Sequence, residues 1–157
     1  MKFQHAFICI TGIFTAVGLG ASPASAGGGF PGCTDALGNA MQIEINALRG
    51  GSPTVTPGLN QTKDITAKAR ILKGTATSGS TLDTSLKIEA IDGLEVIHVR
   101  VVSPIRLVVG KGGQGDKLRM NIPQCNSGFI EFVATFSGPD LDGDLCEKTR
   151  TIRKTCN

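Results

Sequence analysis

Three aspartates at alternate positions are the residues best placed for metal chemistry. Asp140, Asp142 and Asp144 lie in the sequence PDLDGDLCE. Carboxylate oxygens spaced in this way along a turn are ligands that Ca²⁺ prefers. The pattern departs from an EF-hand loop, because the glycine position would fall on Leu145, two residues after Gly143, and Thr151 stands where the last glutamate would be. Asp and Gly also accept turn geometry readily, so the alternative to a calcium site is an exposed turn.

A second pattern, Gly110–Gly115 (GKGGQG), matches the phosphate-binding motif G-x-G-x-x-G. In a nucleotide site this motif opens a helix whose first amides hold the phosphate. Here it runs into residues 116–123 (DKLRMNIP), which alternate like a strand and end at a proline. We therefore interpret the motif as a hairpin loop. Apart from calcium, no cofactor is predicted.

Acid–base catalysis has one histidine to draw on after residue 26, His98, which lies among Val and Ile. The partners of a Ser-His-Asp or Cys-His site meet only in space, so a single sequence does not exclude one. No nucleophile-elbow pattern is present. We expect His98 to point outwards or to pack on a sheet, we assign no catalytic residue, and we predict that the chain is not an enzyme.

Four basic residues, Lys148, Arg150, Arg153 and Lys154, dominate the segment CEKTRTIRK. Such a strand can dock an acidic partner by strand addition or by charge. The alternative is a sheet edge whose charges prevent unwanted pairing. Because of the first possibility, we list these four residues as a candidate partner-binding site.

The first 26 residues have the three parts of a secretory signal peptide. Lys2 gives a basic start, residues 6–20 are apolar and uncharged, and residues 24–26 (ASA) form a small-residue cleavage site. The apolar run is shorter than the roughly 20 residues that span a bilayer. We predict cleavage after Ala26, no membrane span, and a secreted or periplasmic location.

Composition limits the classes of partner. Charged residues make up 18% of the 157-residue chain and hydrophobic residues 40%, which excludes a disordered chain or a coiled coil. The formal charge of +3 falls by one if Lys2 leaves with the leader. That balance does not indicate nucleic acid or an acidic membrane, and the chain lacks the Trp and Tyr that stack on bases. We predict no nucleic-acid partner.

Four cysteines remain after cleavage: Cys33, Cys125, Cys146 and Cys156. An even number in an exported chain of this size predicts two disulfides. Zinc is disfavoured because there is no C-x-x-C pair. Cys146 and Cys156 bracket a strand about 33 Å long, whereas bonded cysteines have Cα atoms about 5.5 Å apart. If this strand pairs with the one before it, Cys156 returns to Cys125, so we predict Cys125–Cys156 and Cys33–Cys146.

The elements that position these residues are predicted to be strands, because a two-residue alternation persists from residue 64 onward. Each alternating segment is bounded by Gly, Pro or Asp, and no long helical stripe follows residue 64. The segments are 65–71, 82–90, 97–101, 105–109, 118–122, 129–136 and 146–154. This pattern predicts an all-β sandwich of seven to eight antiparallel strands, with 129–136 central and 146–154 at an edge.

The sandwich is predicted to span residues 64–157, preceded by an N-terminal extension over residues 27–63. Within the extension, residues 41–48 (MQIEINAL) alternate like a strand, although a short helix is the alternative. Residues 49–63 contain two Pro and three Gly and are predicted to be a loop. This loop carries a sequon at Asn60, which would be glycosylated only in a eukaryotic host.

Two stretches resemble a known family. Residues 86–102 (LKIEAIDGLEVIHVRVV) resemble the second and third strands of bacterial immunoglobulin-like (Big-type) domains, and residues 128–152 (GFIEFVATFSGPDLDGDLCEKTRTI) resemble the last two. The resemblance covers residues 64–155 and implies an immunoglobulin-like sandwich. Such domains usually occur in tandem and lack this set of cysteines. The resemblance implies adhesion, spacing or recognition at a cell surface and supplies no catalytic residues.

The sequence therefore predicts an exported, non-enzymatic binding or structural module that acts through contacts with an unknown protein or surface component. Loops 74–80, 110–116 and 138–145 at the ends of the sandwich are expected to carry contacts. The alternative is a small secreted inhibitor of a hydrolase that inserts the Gly110–Gly115 loop. The sequence does not indicate an oligomeric state.

Overall fold

The computed structural model describes residues 33–72 and 76–157. These residues form eight strands, joined by turns and loops, and no helix. The strands are β1 (Ile43–Arg49), β2 (Thr54–Val55), β3 (Thr62–Ile71), β4 (Thr81–Asp92), β5 (Glu95–Val108), β6 (Gln114–Asn121), β7 (Phe129–Pro139) and β8 (Leu145–Cys156). A small sheet has the order β1-β3-β6 and a large sheet the order β2-β8-β7-β4-β5. All pairings are antiparallel except the short β2–β8 contact. The predicted all-β, largely antiparallel sandwich is confirmed.

The core lies between the two sheets and follows from the alternation. In β4 and β7, the central strands of the large sheet, Leu86, Ile88, Phe132 and Phe136 are fully buried. The small sheet contributes the equally buried Ile65 to the same cluster. Each such side chain stabilises the fold by about 1.5–3 kcal/mol relative to solvent exposure. The predicted central position of residues 129–136 is therefore correct.

Residues 27–63, predicted to precede the sandwich as an extension, contribute a strand to each sheet: β1 joins the small sheet and β2 the large one. Ile43 and Ile45 point into the common core because the predicted alternation of β1 continues that of the small sheet. A β-bulge between Glu44 and Ala47 shifts the alternation, so that Leu48 is buried as well. A boundary at residue 64 therefore does not separate sandwich from extension.

The two disulfides join the cysteines that were predicted to pair. β7 and β8 form a hairpin in which Phe129 lies opposite Thr155, and this register brings Cys156 back to Cys125. Their Cα atoms lie 6.5 Å apart. Cys33 is bonded to Cys146 at a Cα separation of 5.2 Å. The second bond fixes the segment before β1 to the start of β8.

The predicted separation of segments 97–101 and 105–109 at Pro104 is wrong, because β5 is one strand from residue 95 to residue 108. The predicted segments 97–101 and 105–109 are two halves of one strand with two register shifts against β4. Proline lacks the N–H that a second neighbouring strand would need, so it is tolerated where a strand lies at a sheet edge. β5 has only β4 as a neighbour in its sheet.

The predicted signal peptide and its cleavage site lie outside the described residues. Within residues 33–72 and 76–157, no helix has the length and apolar character that crossing a membrane requires.

Candidate functional site

The first half of β5 is an apolar sheet edge that the rest of the domain leaves open. Val96, Val99 and Val101 retain 49%, 42% and 59% of their exposure, and Leu94 in the preceding turn is fully exposed. These four are half of the large hydrophobic side chains that are exposed in the described part of the chain. An unpaired apolar edge is where an extended segment of another protein can add as a further strand. We call residues 94–102 the β5 edge.

Exposed side chains lie on both faces of the β5 edge, with Val99 and Val101 on the outer face of the large sheet and Arg100 on its core-facing side. Arg100 lies opposite Ile88, so both side chains are on the core-facing side of the large sheet. Ile88 is fully buried, whereas Arg100 is exposed. The small sheet therefore leaves Arg100 uncovered, although it reaches β5 at His98, and a partner has access to the edge and to the outer face of β5.

A tight turn between β4 and β5 presents Leu94 to solvent. Gly93 is the first of the two residues between the strands and has a φ of 65°, which a type II′ turn requires and glycine adopts without strain. The buried Asp92 carboxylate accepts hydrogen bonds from the backbone N–H groups of Asn126 (2.6 Å) and Ser127 (2.8 Å). The hydrogen bond with the Ser127 side chain is the main reason that the pKa of Asp92 lies below its usual value. The hairpin is thereby fixed to the loop before β7.

His98 joins the two sheets at the β5 edge. Its Nδ1 accepts a hydrogen bond from the backbone N–H of Asn121, at the end of β6, with a distance of 2.9 Å. Burial, and secondly the charge of Arg100, lower the pKa of His98. A ring nitrogen that accepts a hydrogen bond carries no proton, so the imidazole of His98 is neutral in this contact. The contact links the two sheets and gives the histidine a structural role. Of the two expected arrangements, the sheet-packed one describes it.

The four basic residues of β8 do not form a single patch, because they divide between its two faces. Arg150 is on the core-facing side and its Nη1 donates to the Ile45 carbonyl oxygen in β1 at 2.9 Å. Lys148 and Lys154 share that face by alternation, and Lys154 Nζ lies 3.3 Å from the Gly51 carbonyl oxygen. At the margin opposite to His98, Arg150 and Lys154 therefore donate to backbone carbonyl oxygens of β1 and of the loop that follows it.

Arg153 lies on the outer face of the large sheet. Its guanidinium pairs with Glu131 at 2.6 Å and lies 4.0 Å from the centre of the Phe129 ring. β8 is an edge strand over most of its length, as predicted, since β2 pairs only with its last two residues. The inward charges are a known way to prevent edge-to-edge pairing, which favours the protective interpretation of β8.

The carboxylate of Asp140 organises the turn that was considered for calcium. It accepts hydrogen bonds from the backbone N–H groups of Asp142 (3.0 Å), Asp144 (2.9 Å) and Thr34 (2.9 Å). The Thr34 hydrogen bond is the main cause of the lowered pKa of Asp140. Across the described ranges, no three His, Cys, Asp or Glu side chains are grouped as a metal site would require. The structure thus does not bring the three carboxylates together, and calcium stays a prediction.

The glycine-rich segment connects β5 of the large sheet to β6 of the small sheet, so it is not the hairpin loop that the sequence predicted. Lys111 N–H donates to the Val108 carbonyl oxygen at 3.1 Å, and the Gln114 side chain accepts from Val108 N–H at 3.1 Å. β6 already begins at Gln114, so no helix follows the motif. Gly115 approaches the backbone of Ala67 so closely that a Cβ would overlap it. The segment is therefore held at both ends, while Lys111 and Gly112 at its tip are exposed.

Comparison with protein-family models, with curated proteins and with solved structures finds no match for this chain. The immunoglobulin-like resemblance of residues 64–155 therefore stays a prediction. The β5 edge was not recognised as a site from the sequence. A signal was present, because Val or Ile occurs at both odd and even positions of residues 96–102, which places apolar side chains on both faces of a strand. Such a strand is either covered on both faces or left open at an edge.

Proposed function

We propose that this chain is an exported, non-enzymatic β-sandwich that binds another protein through the β5 edge, in the periplasm or at the cell surface, in adhesion or surface assembly. The observation that carries the proposal is the exposed apolar strand with one neighbour. An added strand would form main-chain hydrogen bonds with β5, and its side chains would cover Val99 and Val101. Covering what remains exposed of two valines contributes roughly 2–3 kcal/mol.

Support for a non-enzymatic role comes from where the reactive side chains are engaged. His98 accepts a backbone hydrogen bond that joins the sheets. Asp92 accepts hydrogen bonds from two backbone N–H groups and Asp140 from three. The four cysteines are oxidised in pairs. Each of these groups has a structural partner that a catalytic role would have to displace.

Support for export comes from the two disulfides, which persist in oxidising compartments and are rare in the cytosol. One of them closes a loop of 113 residues and attaches the segment at Cys33 to the sandwich. Support for the inhibitor alternative is weaker, because the Gly110–Gly115 segment is short, is held at both ends and exposes no large hydrophobic side chain.

The test compares a variant of the β5 edge with a matched control. A photo-crosslinking residue at position 99 should capture a partner in intact cells or envelopes of the source organism, and one at position 141 should not, although Leu141 is also exposed. With that partner purified, Val99→Lys/Val101→Lys should weaken binding at least tenfold, while Leu141→Lys should not. Equal affinity for all three proteins would remove the proposal. Stoichiometric inhibition of a hydrolase would favour the alternative.

A further inference from the structure

The outer face of the small sheet carries an excess of positive charge that the composition of the chain conceals. In β3, Ile65, Ala67 and Ala69 are buried, so the even-numbered residues of this strand face solvent. Together with their neighbours on β1 and β6, these residues place five cationic and two acidic side chains on one surface, which therefore has a net charge of +3. We call this surface the basic face: Arg49, Lys68, Arg70, Lys117 and Arg119, with Glu44 and Asp64.

The strand register arranges the basic face in rows. Arg49 lies opposite Thr66, and Thr66 lies opposite Lys117, so one row crosses all three strands. Lys68 lies in the next row along β3, and Arg119 lies in the row on the other side. Neighbouring strands are about 4.8 Å apart and residues two positions apart are about 6.7 Å apart along a strand. The cations therefore form a shallow, extended array without a deep pocket.

Two cations of this array are not neutralised. Asp64 pairs with Arg119 (3.2 Å) and Lys117 (3.4 Å), and Glu44 pairs with Arg70 (2.7 Å).

Arg49 and Lys68 make no ion pair with any residue in the ranges that the structure describes. They lie on adjacent rows, and Thr66 lies between Arg49 and Lys117 as a hydroxyl donor. An anionic ligand would meet the greatest unbalanced charge here.

The outer face of the large sheet is different. It carries three cations against four carboxylates, and three of those carboxylates are paired with the cations: Lys87–Glu89, Arg106–Asp83 and Arg153–Glu131, with Glu147 as the fourth. The two outer faces therefore differ in sign, although the whole chain is close to neutral. A ligand that recognises charge is directed to the small sheet.

The basic face lacks the groups that recognise proteins or bases. Protein interfaces have an apolar core rich in aromatic residues, but β1, β3 and β6 expose no large hydrophobic side chain. Single-stranded nucleic acid requires aromatic stacking, and every phenylalanine within the described residues is in β7.

We propose that the basic face binds a polysaccharide that carries sulfate or carboxylate groups. Such a polymer presents repeated negative charge, exposes little apolar surface, and can follow rows of cations across a flat sheet. Charge complementarity selects it, and the site is independent of the β5 edge, so either proposal can fail without the other.

The experiment measures binding of the intact chain from Gly27 to dextran sulfate and to alginate by isothermal titration calorimetry at 50 and 300 mM NaCl. Neutral dextran, poly-glutamate, double-stranded DNA and anionic phospholipid vesicles are the comparison ligands. Arg49→Gln/Lys68→Gln removes the two unpaired cations, and Lys87→Gln/Arg106→Gln removes the same charge from the other face. Far-ultraviolet circular dichroism establishes that both variants fold.

We expect the charged polysaccharides to bind more tightly than the comparison ligands and to lose affinity at 300 mM NaCl. Arg49→Gln/Lys68→Gln should weaken binding about thirtyfold, on the basis of a factor of about five to six for each cation near an anionic surface. The control variant should bind within twofold of the wild type. Binding that both variants reduce equally, tighter binding to poly-glutamate, DNA or vesicles, or no binding at 50 mM NaCl would each overturn the proposal.

Discussion

Removing the two disulfides one at a time should destabilise the domain by unequal amounts. Cys33–Cys146 closes a loop of 113 residues and Cys125–Cys156 a loop of 31 residues. In the chain-entropy model these loops correspond to about 5 and about 4 kcal/mol, a difference of about 1 kcal/mol that comes from loop length alone. Packing acts in the same direction, because Cys33 and Cys146 are buried whereas the other two cysteines are only partly so.

The assay is urea unfolding of Cys33→Ala/Cys146→Ala and Cys125→Ala/Cys156→Ala beside the wild type at pH 7, followed by circular dichroism. With a urea m-value of about 1–3 kcal/mol/M, the midpoint of the first variant should lie roughly 0.5–1 M below that of the second. Equal m-values are the control that the same surface unfolds in each protein. A midpoint for the first variant equal to or above that of the second would refute the reasoning that the long N-terminal connection stabilises the sandwich.

Three further predictions concern single positions. The pKa of His98 is lowered on folding, so the unfolded chain binds the proton more readily than the folded one. The free energy of unfolding should therefore be constant above pH 6.5 and fall below it. In His98→Gln, the free energy of unfolding measured by urea titration should depend less on pH over this range. Gly138→Ala should destabilise by about 1–3 kcal/mol in the same assay, since its Cβ would overlap the Asp83 carbonyl oxygen, whereas Gly112→Ala, with open space around it, should be within about 0.5 kcal/mol of the wild type. Millimolar calcium should leave the melting temperature unchanged relative to chelator, because the Asp140 carboxylate already accepts three backbone N–H groups; a rise of several degrees would restore the calcium hypothesis.

Local rules were sufficient for the strands and the disulfide pairing. Burial alternates along the whole of β4 and most of β7, and a hairpin between β7 and β8 leaves Cys125 as the near partner of Cys156. The N-terminal boundary was not predictable in this way, because the membership of β1 in the small sheet depends on pairing with β3 more than ten residues away. The continuity of β5 through Pro104 was missed because a proline normally ends a strand unless the strand lies at an edge.

The candidate sites depend on three-dimensional arrangement that one sequence does not contain. The basic residues of β8 are close in sequence but alternate between faces, whereas Arg49, Lys68 and Lys117 come from three strands and share one surface. Their joint charge appears only when the register is known. In the same way, Val99 and Val101 have the composition of a core strand, but the register places them opposite Glu89 and Lys87 on the outer face of the large sheet, where no second layer covers them.

Hydrogen–deuterium exchange of the backbone amides along β5 tests the proposed binding edge most directly. In the isolated protein, the amides of residues 95–102 that point away from β4 should exchange rapidly, while those of β4 and β7 stay protected. On addition of the partner captured through position 99, the amides of the β5 edge should become protected and other surfaces should change little. Unchanged exchange at residues 95–102, with new protection at β8 or at the basic face, would contradict the account.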